Sequence, residues 1–532
     1  MSGSGDESRG NLVEWRRSVP EKGCARPLLA KDDTTAPTRP FAAPPFPFPR
    51  DRIKARQING RRDGKRMGEE IETTGFTRDD KARFADRLAQ ETHIARRLFA
   101  GDKFSRAGHM IGFEIETWIV DHNYFPASIN QELLEALNSP LVVPELSRFN
   151  LELNCEPLIL EGDALARAYD ALTDVWARCN DVAHRLDANL VLIGTLPTIR
   201  DEDLTLANMS PLNRYYALNT EVLRRRGGRP LRVDILGREH LVSQHRDVML
   251  EAATTSFQVH LKSPADLAHR YYNASIAASG PILAACGNAP FLFGKALWEE
   301  TRIPLFEQAV DVPGPARVSM GSGYATRSLL EVFEENARDY EALLPIAFDD
   351  APEALRHLRL HNGVIWRWNR PLIGFDEDGA PHLRIEHRIL PAGPTFVDMM
   401  ANAALYLGLS RALAMTDEGT AGLPFADARR NFYTAARHGL DATLIWPGVG
   451  EIGADRLLLE RLIPAAREGL ADFGVIDSRG FLDVIEARVR ARQTGAVWQR
   501  RALAANDGDL YAMMAAYCEG QRSGAPVHEW DL

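Results

Sequence analysis

Cysteine is scarce. Five residues (Cys24, Cys155, Cys179, Cys286 and Cys518) are scattered through 532 positions, an odd number with no C-x-x-C pair. This supports neither a disulfide framework nor a thiolate zinc site, and fits a reducing cytoplasm. Long apolar runs are missing as well. None approaches the ~20 residues a membrane helix needs, and the N-terminus lacks the apolar centre of a signal peptide. There is no excess of positive charge either: the formal charge of −10 argues against a dedicated nucleic-acid binder, which gains affinity from general phosphate attraction. Several catalytic signatures are absent. No G-x-S-x-G elbow or H-E-x-x-H pair occurs. The "MGSGY" at 320–324 lacks the spacing and the Lys-Ser/Thr end of a phosphate loop.

What is present is ordinary in bulk, with 45% hydrophobic and 26% charged residues. The length allows two to four domains or one large enzyme fold. Residues 1 to about 70 differ from the rest, because "TTAPTRPFAAPPFPFPRDRIKARQINGRRDGKR" is proline-rich, basic and without amphipathic period. Such a stretch cannot bury enough apolar surface to offset chain entropy, so a disordered leader is expected. Met67 follows at once, and a chain start there is an equally simple account; a basic arm contacting RNA or a partner is the third.

Order is expected from Thr77, a capping threonine followed by Asp80. Residues 110–120 and 148–157 read as strands, 161–186 as a long helix and "NLVLIGTLP" as a buried strand. "TTSFQVHLK" is a strand, 264–286 a helix, "HLRIEHRIL" a late strand, and a helix begins near Phe396. After about 400 almost everything has helical period. The irregular interleaving predicts an α+β fold with a large, mainly antiparallel sheet.

Four of these strands carry a polar face. In "MIGFEIETWIVD", Ile111, Phe113, Ile115 and Ile119 fall on one side and Glu114 and Glu116 on the other. In "RFNLELNCEP" the second face carries Asn150, Glu152, Asn154 and Glu156. In "SFQVHLK" it carries Gln258, His260 and Lys262, and in "LRIEHRI" Arg384, Glu386 and Arg388. Solvated outer faces are one reading. Those usually mix Lys, Thr, Ser and Glu with paired signs; here the signs are sorted, with two strands purely acidic or amide. Carboxylates with an imidazole are ligands for Mg²⁺ or Mn²⁺, and nearby arginines suit a transferring phosphoryl group. A metal-and-polyanion site on one face of the sheet is the favoured reading.

With "GFEIETWIVD", "ELSRFNLELNCEP", "TTSFQVHLK", "GNAPFLFGKALWEETRIPLFEQ" and "RIEHRILPAGPT" in this order, the chain resembles the glutamate–cysteine ligase superfamily, in the branch of the plant and proteobacterial enzymes and the bacterial carboxylate–amine ligases. The likeness runs from about 106 to the early 400s. It implies a curved, mainly antiparallel sheet with helices on its outer side, like the catalytic domain of glutamine synthetase. It divides the chain into the leader, 1–70, and a catalytic domain, 71–532, helix-rich from about 400. Carried over motif by motif, Glu114, Glu116, Glu145, Glu152, His260 and Glu386 are implied metal ligands. Arg384 and Arg388 are implied phosphoryl clamps, and Glu156, Gln258 and Lys262 contacts to substrate or ATP. The implied activity is ATP- and Mg²⁺ (or Mn²⁺)-dependent ligation of glutamate to an amine such as cysteine, through an acyl phosphate, in the cytoplasm and on the route to glutathione. No nucleic acid or membrane partner is expected. The alternatives are another amine acceptor, another donor, or a relative that binds nucleotide or amino acid without catalysis. The acceptor loops do not announce cysteine, and the leader matches nothing in the family.

Overall fold

The computed structural model describes residues 70, 71 and 73–532; the expected leader, Glu70 apart, lies outside them. Thr77 caps the first helix, Arg78–Ala100. Its hydroxyl accepts from the Asp80 backbone N–H at 3.1 Å, while the Asp80 carboxylate accepts from the Thr77 N–H at 2.9 Å. Two of the orphan donors that every helix start leaves are satisfied in this way.

In chain order the strands are β1 (Met110–Val120), β2 (Val142–Pro144), β3 (Asn150–Asn154), β4 (Leu158–Ile159) and β5 (Asn189–Val191). They continue with the hairpin β6 (Leu231–Leu236) and β7 (His240–His245), then β8 (Ser256–Ser263), the short pair β9 (Phe291–Leu292) and β10 (Lys295–Ala296), β11 (Asn369–Phe375), β12 (Pro381–Pro391) and the late pair β13 (Thr443–Trp446) and β14 (Gly450–Gly453). Eight of them form one curled sheet in the order β11-β12-β8-β1-β3-β2, with β4 and β5 pairing with the two ends of β1. Every pairing in it is antiparallel. The strands expected over 148–157 and 189–197 are shorter than read, because the chain leaves the ladder at Asn154 and Val191. β11, which the sequence reading passed over, closes one edge.

Alternation decides which face goes where. Ile111, Phe113 and Ile115 of β1, Phe257, Val259 and Leu261 of β8, and Leu383 and Ile385 of β12 are buried against helices on the convex side. Those helices, Ala268–Cys286 and Phe396–Ala414, are apolar all round and almost wholly buried, as expected for the inner layer of a large core. The Tyr406 ring stacks on His387 at 3.9 Å and 4°. Behind them, Gly408 lets the helix Ile463–Asp472 approach so closely that a Cβ at 408 would stand 2.2 Å from the Ala466 carbonyl oxygen. Among the described residues no helix is long and apolar enough to cross a membrane.

Candidate active site

Register brings the four polar faces together. Across β1 and β8, Glu114 pairs with Gln258 and Gly112 with His260; across β1 and β3, Glu116 pairs with Glu152; across β8 and β12, His260 pairs with Glu386 and Lys262 with Arg384. Gly112 leaves an open spot above His260, with the His260 Cβ 3.8 Å from where its own Cβ would be. The face is not solvated: Glu114, Gln258, His260, Lys262 and Glu386 are all buried. Burial of so many polar groups on one sheet face is costly unless they are paired or hold ions.

Glu114, His260 and Glu386 each offer an atom such that all three lie within 4.8 Å of one another. His260 Nε2 is 3.1 Å from Glu114 Oε1 and 3.9 Å from Glu386 Oε1, yet it has no hydrogen-bond partner among the described residues, so the short approach is not a well-aimed bond. An imidazole nitrogen left over between two carboxylates fits a divalent cation. Arg384 Nε reaches the other ring nitrogen, Nδ1, at 3.3 Å and helps fix the ring.

Glu386 is fully enclosed. Arg370 on β11 grips it through two parallel bonds, Nε to Oε2 at 2.7 Å and Nη2 to Oε1 at 3.0 Å, and Arg388 Nη1 adds a third at 3.0 Å. Burial pushes the Glu386 carboxyl up, but the Arg370 and Arg388 charges and His260 outweigh it and hold it well below the ordinary range. Arg388 also donates to Gln258 Oε1 at 2.5 Å, and its Nε is buried without a partner. Its position follows from a bulge. Between His387, opposite Val259, and Leu390, opposite Phe257, β12 carries one residue more than β8. Such an insertion re-aims side chains, and bulges are common beside active sites.

A second acidic group lies next to the first. Burial and then Glu145 push Glu116 up to about 7; burial also raises Glu145. Burial, then Glu114 and Glu145, raise Glu152 well above the usual value. Glu116 accepts from the Ser256 N–H at 2.6 Å, the Ser256 hydroxyl at 2.9 Å and Gln258 Nε2 at 3.0 Å. It is therefore a carboxylate already well provided with donors, unlike Glu114. Between Glu116, Glu145 and Arg388 lies a cavity of about 40 Å³, walled also by Glu251, Arg302, Phe306 and Trp368. Burial and Glu145 push Glu251 up to about 8.

Of the implied site residues, the structure brings Glu114, Glu116, Glu145, Glu152, Gln258, His260, Arg384, Glu386 and Arg388 onto one connected face. Two are placed otherwise. Lys262 is on that face, but both Asp376 carboxylate oxygens hold its Nζ, at 2.7 and 2.8 Å. Glu156 lies beyond the end of β3 in an exposed turn, where alternation no longer applies. Four residues escaped the sequence reading: Arg370, Glu251, Arg302 and Trp368.

A stability consequence follows for the metal-free protein. Glu116 and Glu251 have folded values near 7 and 8, above the ordinary 4.5, so the folded state holds protons that the unfolded state has released. Their contribution to stability is fully present below about 4.5 and lost as pH rises through about 7 and 8. Thermal midpoints measured in chelator are expected to fall between about pH 4.5 and 8, and added Mg²⁺ is expected to reverse the fall. A flat or rising profile in chelator would contradict these environments.

The comparisons with known proteins decide the family. The family described as glutamate-cysteine ligase family 2 matches residues 110–520, most of the chain. The chain belongs to glutamate-cysteine ligase family 2. No curated protein matches it. Among solved structures, a glutamate–cysteine ligase of Francisella tularensis in complex with AMP is 14% identical, covers 79% of this chain and 90% of its own, and superposes with a TM-score of 0.51. A bifunctional glutathione synthetase of Pasteurella multocida is 12% identical, with 82% of this chain and 55% of that one covered and a TM-score of 0.47, so this chain spans about half its length. At such identities the likeness is one of fold, and the expected α+β fold with a curved antiparallel sheet is the one found. Every motif quoted for the resemblance, from "GFEIETWIVD" at residue 112 to "RIEHRILPAGPT" ending at 395, falls inside the span of the family.

Proposed function

We propose that the protein is an ATP-dependent carboxylate–amine ligase, with glutamate as donor and cysteine as the first candidate acceptor. The single observation that supports this best is the buried Glu114–His260–Glu386 group with Arg370, Arg384 and Arg388 packed against it on one sheet face. Family membership supports glutamate and cysteine as the first donor and acceptor to try.

The chemistry places two anions in contact. A donor carboxylate oxygen attacks the γ-phosphorus of ATP; the new P–O bond forms as the bond to ADP breaks, giving an acyl phosphate. The acceptor nitrogen then attacks the acyl carbon, phosphate departs with the bonding electron pair, and the nitrogen loses its proton. Glu114, His260 and Glu386 would hold a Mg²⁺ or Mn²⁺ ion, which when bound supplies positive charge to neutralise phosphoryl oxygens. Arg388 has donors left over from its bonds to Glu386 and Gln258 and would orient the phosphoryl oxygens with a planar fork. Arg370 keeps Glu386 ionised and aligned. The enclosed face excludes water, which would otherwise hydrolyse the acyl phosphate. No side-chain nucleophile is needed.

Product analysis after incubation with ATP, Mg²⁺, glutamate and a panel of amines tests this directly. ADP, phosphate and one amide product are expected, and ATP hydrolysis with no amide for any amine would reject the ligase reading. The leader is expected to be dispensable. Its proline-rich, basic composition has no amphipathic period, while Ile71, just beyond it, is a buried core residue. Deletion of residues 1–66 should therefore leave both thermal midpoint and amide formation unchanged. A clear loss of either would show that the leader packs on the domain.

A further inference from the structure

The 40 Å³ cavity beside Arg388 has three carboxylates in its wall, and they are not equivalent. Glu116 receives three hydrogen bonds, and Glu145 Oε2 accepts from the Leu146 N–H at 3.1 Å. Glu251 Oε2 is sealed from solvent and has no hydrogen-bond partner among the described residues. A buried carboxylate oxygen without a donor destabilises the fold. Neither the sheet nor the triad uses Glu251, which sits on the irregular turn Met249–Ala253 outside the ladder. The cavity supplies a use for it, because it has room for a small polar group.

We infer that Glu251 receives the α-ammonium group of the amino-acid donor; the inference rests on the ligase reading above. An ammonium brings three donors and a full charge to an oxygen that lacks both. A divalent cation held by Glu116 and Glu145 is the competing occupant, and the test below separates the two. Arg302 is buried and tied through Nε to Glu300 Oε1 at 2.7 Å and through Nη2 to the Ile389 carbonyl at 2.6 Å, which leaves Nη1 as its remaining fork. A wall with both signs suits a zwitterion. The acceptor's amine is the wrong guest, since pairing with a carboxylate favours the protonated form, and the acceptor must attack as a neutral amine. The donor's α-ammonium stays charged throughout. Trp368 also lines the cavity, its indole N–H held by Glu307 at 3.0 Å.

The test compares glutamate with glutarate, the same dicarboxylate without the amino group, by calorimetric titration and steady-state kinetics on the full chain and on Glu251→Gln. In the variant the glutamate Kd and KM are expected to rise at least ~10-fold, with kcat within ~3-fold and glutarate binding unchanged. The ligand-free variant should melt no lower than wild type, because a buried unpartnered acid has been removed. Equal weakening for glutamate and glutarate, an effect confined to the acceptor's KM or to metal affinity, an unchanged glutamate Kd, or a lower thermal midpoint would each overturn the inference. A wild-type chain that binds glutamate in this Glu251-dependent way but makes no amide would overturn the ligase reading and leave the ammonium site standing. Normal amide formation with Glu251→Gln indistinguishable from wild type would do the reverse.

Discussion

Glu114→Gln is expected to leave the protein folded and to lower ATP-dependent amide formation by about 10³-fold, some ~4 kcal/mol of transition-state stabilisation. The change keeps side-chain volume and removes one of the two carboxylate charges around His260 Nε2. Among the described residues no arginine forms a salt bridge to Glu114 as Arg370 and Arg388 do to Glu386, and Arg384, which feels the Glu114 charge, keeps that of Glu386. Glu386 is the poorer test for that reason, since its loss exposes two guanidiniums to an uncompensated interior. A second readout separates a metal role from a general one. Mg²⁺ at about 100 times its Kd should stabilise the wild-type chain by roughly 2.7 kcal/mol through mass action, and in the variant most of that shift should vanish. Activity near wild type at low Mg²⁺, or an undiminished Mg²⁺ shift, would remove Glu114 from the metal site. Glu152→Gln is the companion variant, because Glu152 stands opposite Glu116 in register and interacts with Glu114.

Arg388→Lys is expected to lower kcat/KM by at least ~10-fold, about 1.4 kcal/mol, with little change in thermal midpoint. Lysine keeps the charge beside Glu386 and so keeps the buried ion pair. It cannot keep the fork: Arg388 spends Nη1 on Gln258 and Glu386, and its Nε remains unpartnered inside the site. A point charge occupying the same space would satisfy Glu386 and have nothing planar left for a phosphoryl group. Steady-state kinetics with ATP as the varied substrate measures the effect. A variant within twofold of wild type would assign Arg388 to holding Glu386 and nothing more.

Period-two alternation carried the site as far as the ladder extends. Glu114, Glu116, Gln258, His260, Glu386 and Arg388 could be placed on one face because β1, β8 and β12 are long and half of each strand is plainly apolar. The same rule does not reach Glu156, since a pattern in the sequence does not say where a strand ends, and β3 stops at Asn154. It also missed Arg370. The run Asn369–Phe375 is buried on both faces, so it shows no alternation, and Pro371 argues against a strand. Proline is tolerated here because β11 is an edge of the sheet, and position at an edge is a tertiary fact. Lys262 points onto the expected face, but its charge is absorbed by Asp376, which arrives from the β11–β12 turn more than a hundred residues away. Glu251 sits on a turn with no period, so nothing local distinguished it from a surface acid. What the sequence pattern could not convey is pairing across long loops, and that pairing decides which charged groups are left with unused hydrogen-bonding capacity.

The central claim is that the sorted polar face activates a carboxylate by phosphorylation. It is tested most directly with glutamate carrying ¹⁸O in both carboxyl groups, ATP, Mg²⁺ and the amine that the panel selects. The account predicts ADP and inorganic phosphate with one ¹⁸O atom per amide formed, because the oxygen that attacks phosphorus leaves with it. Unlabelled phosphate, or ¹⁸O recovered in AMP, would contradict it.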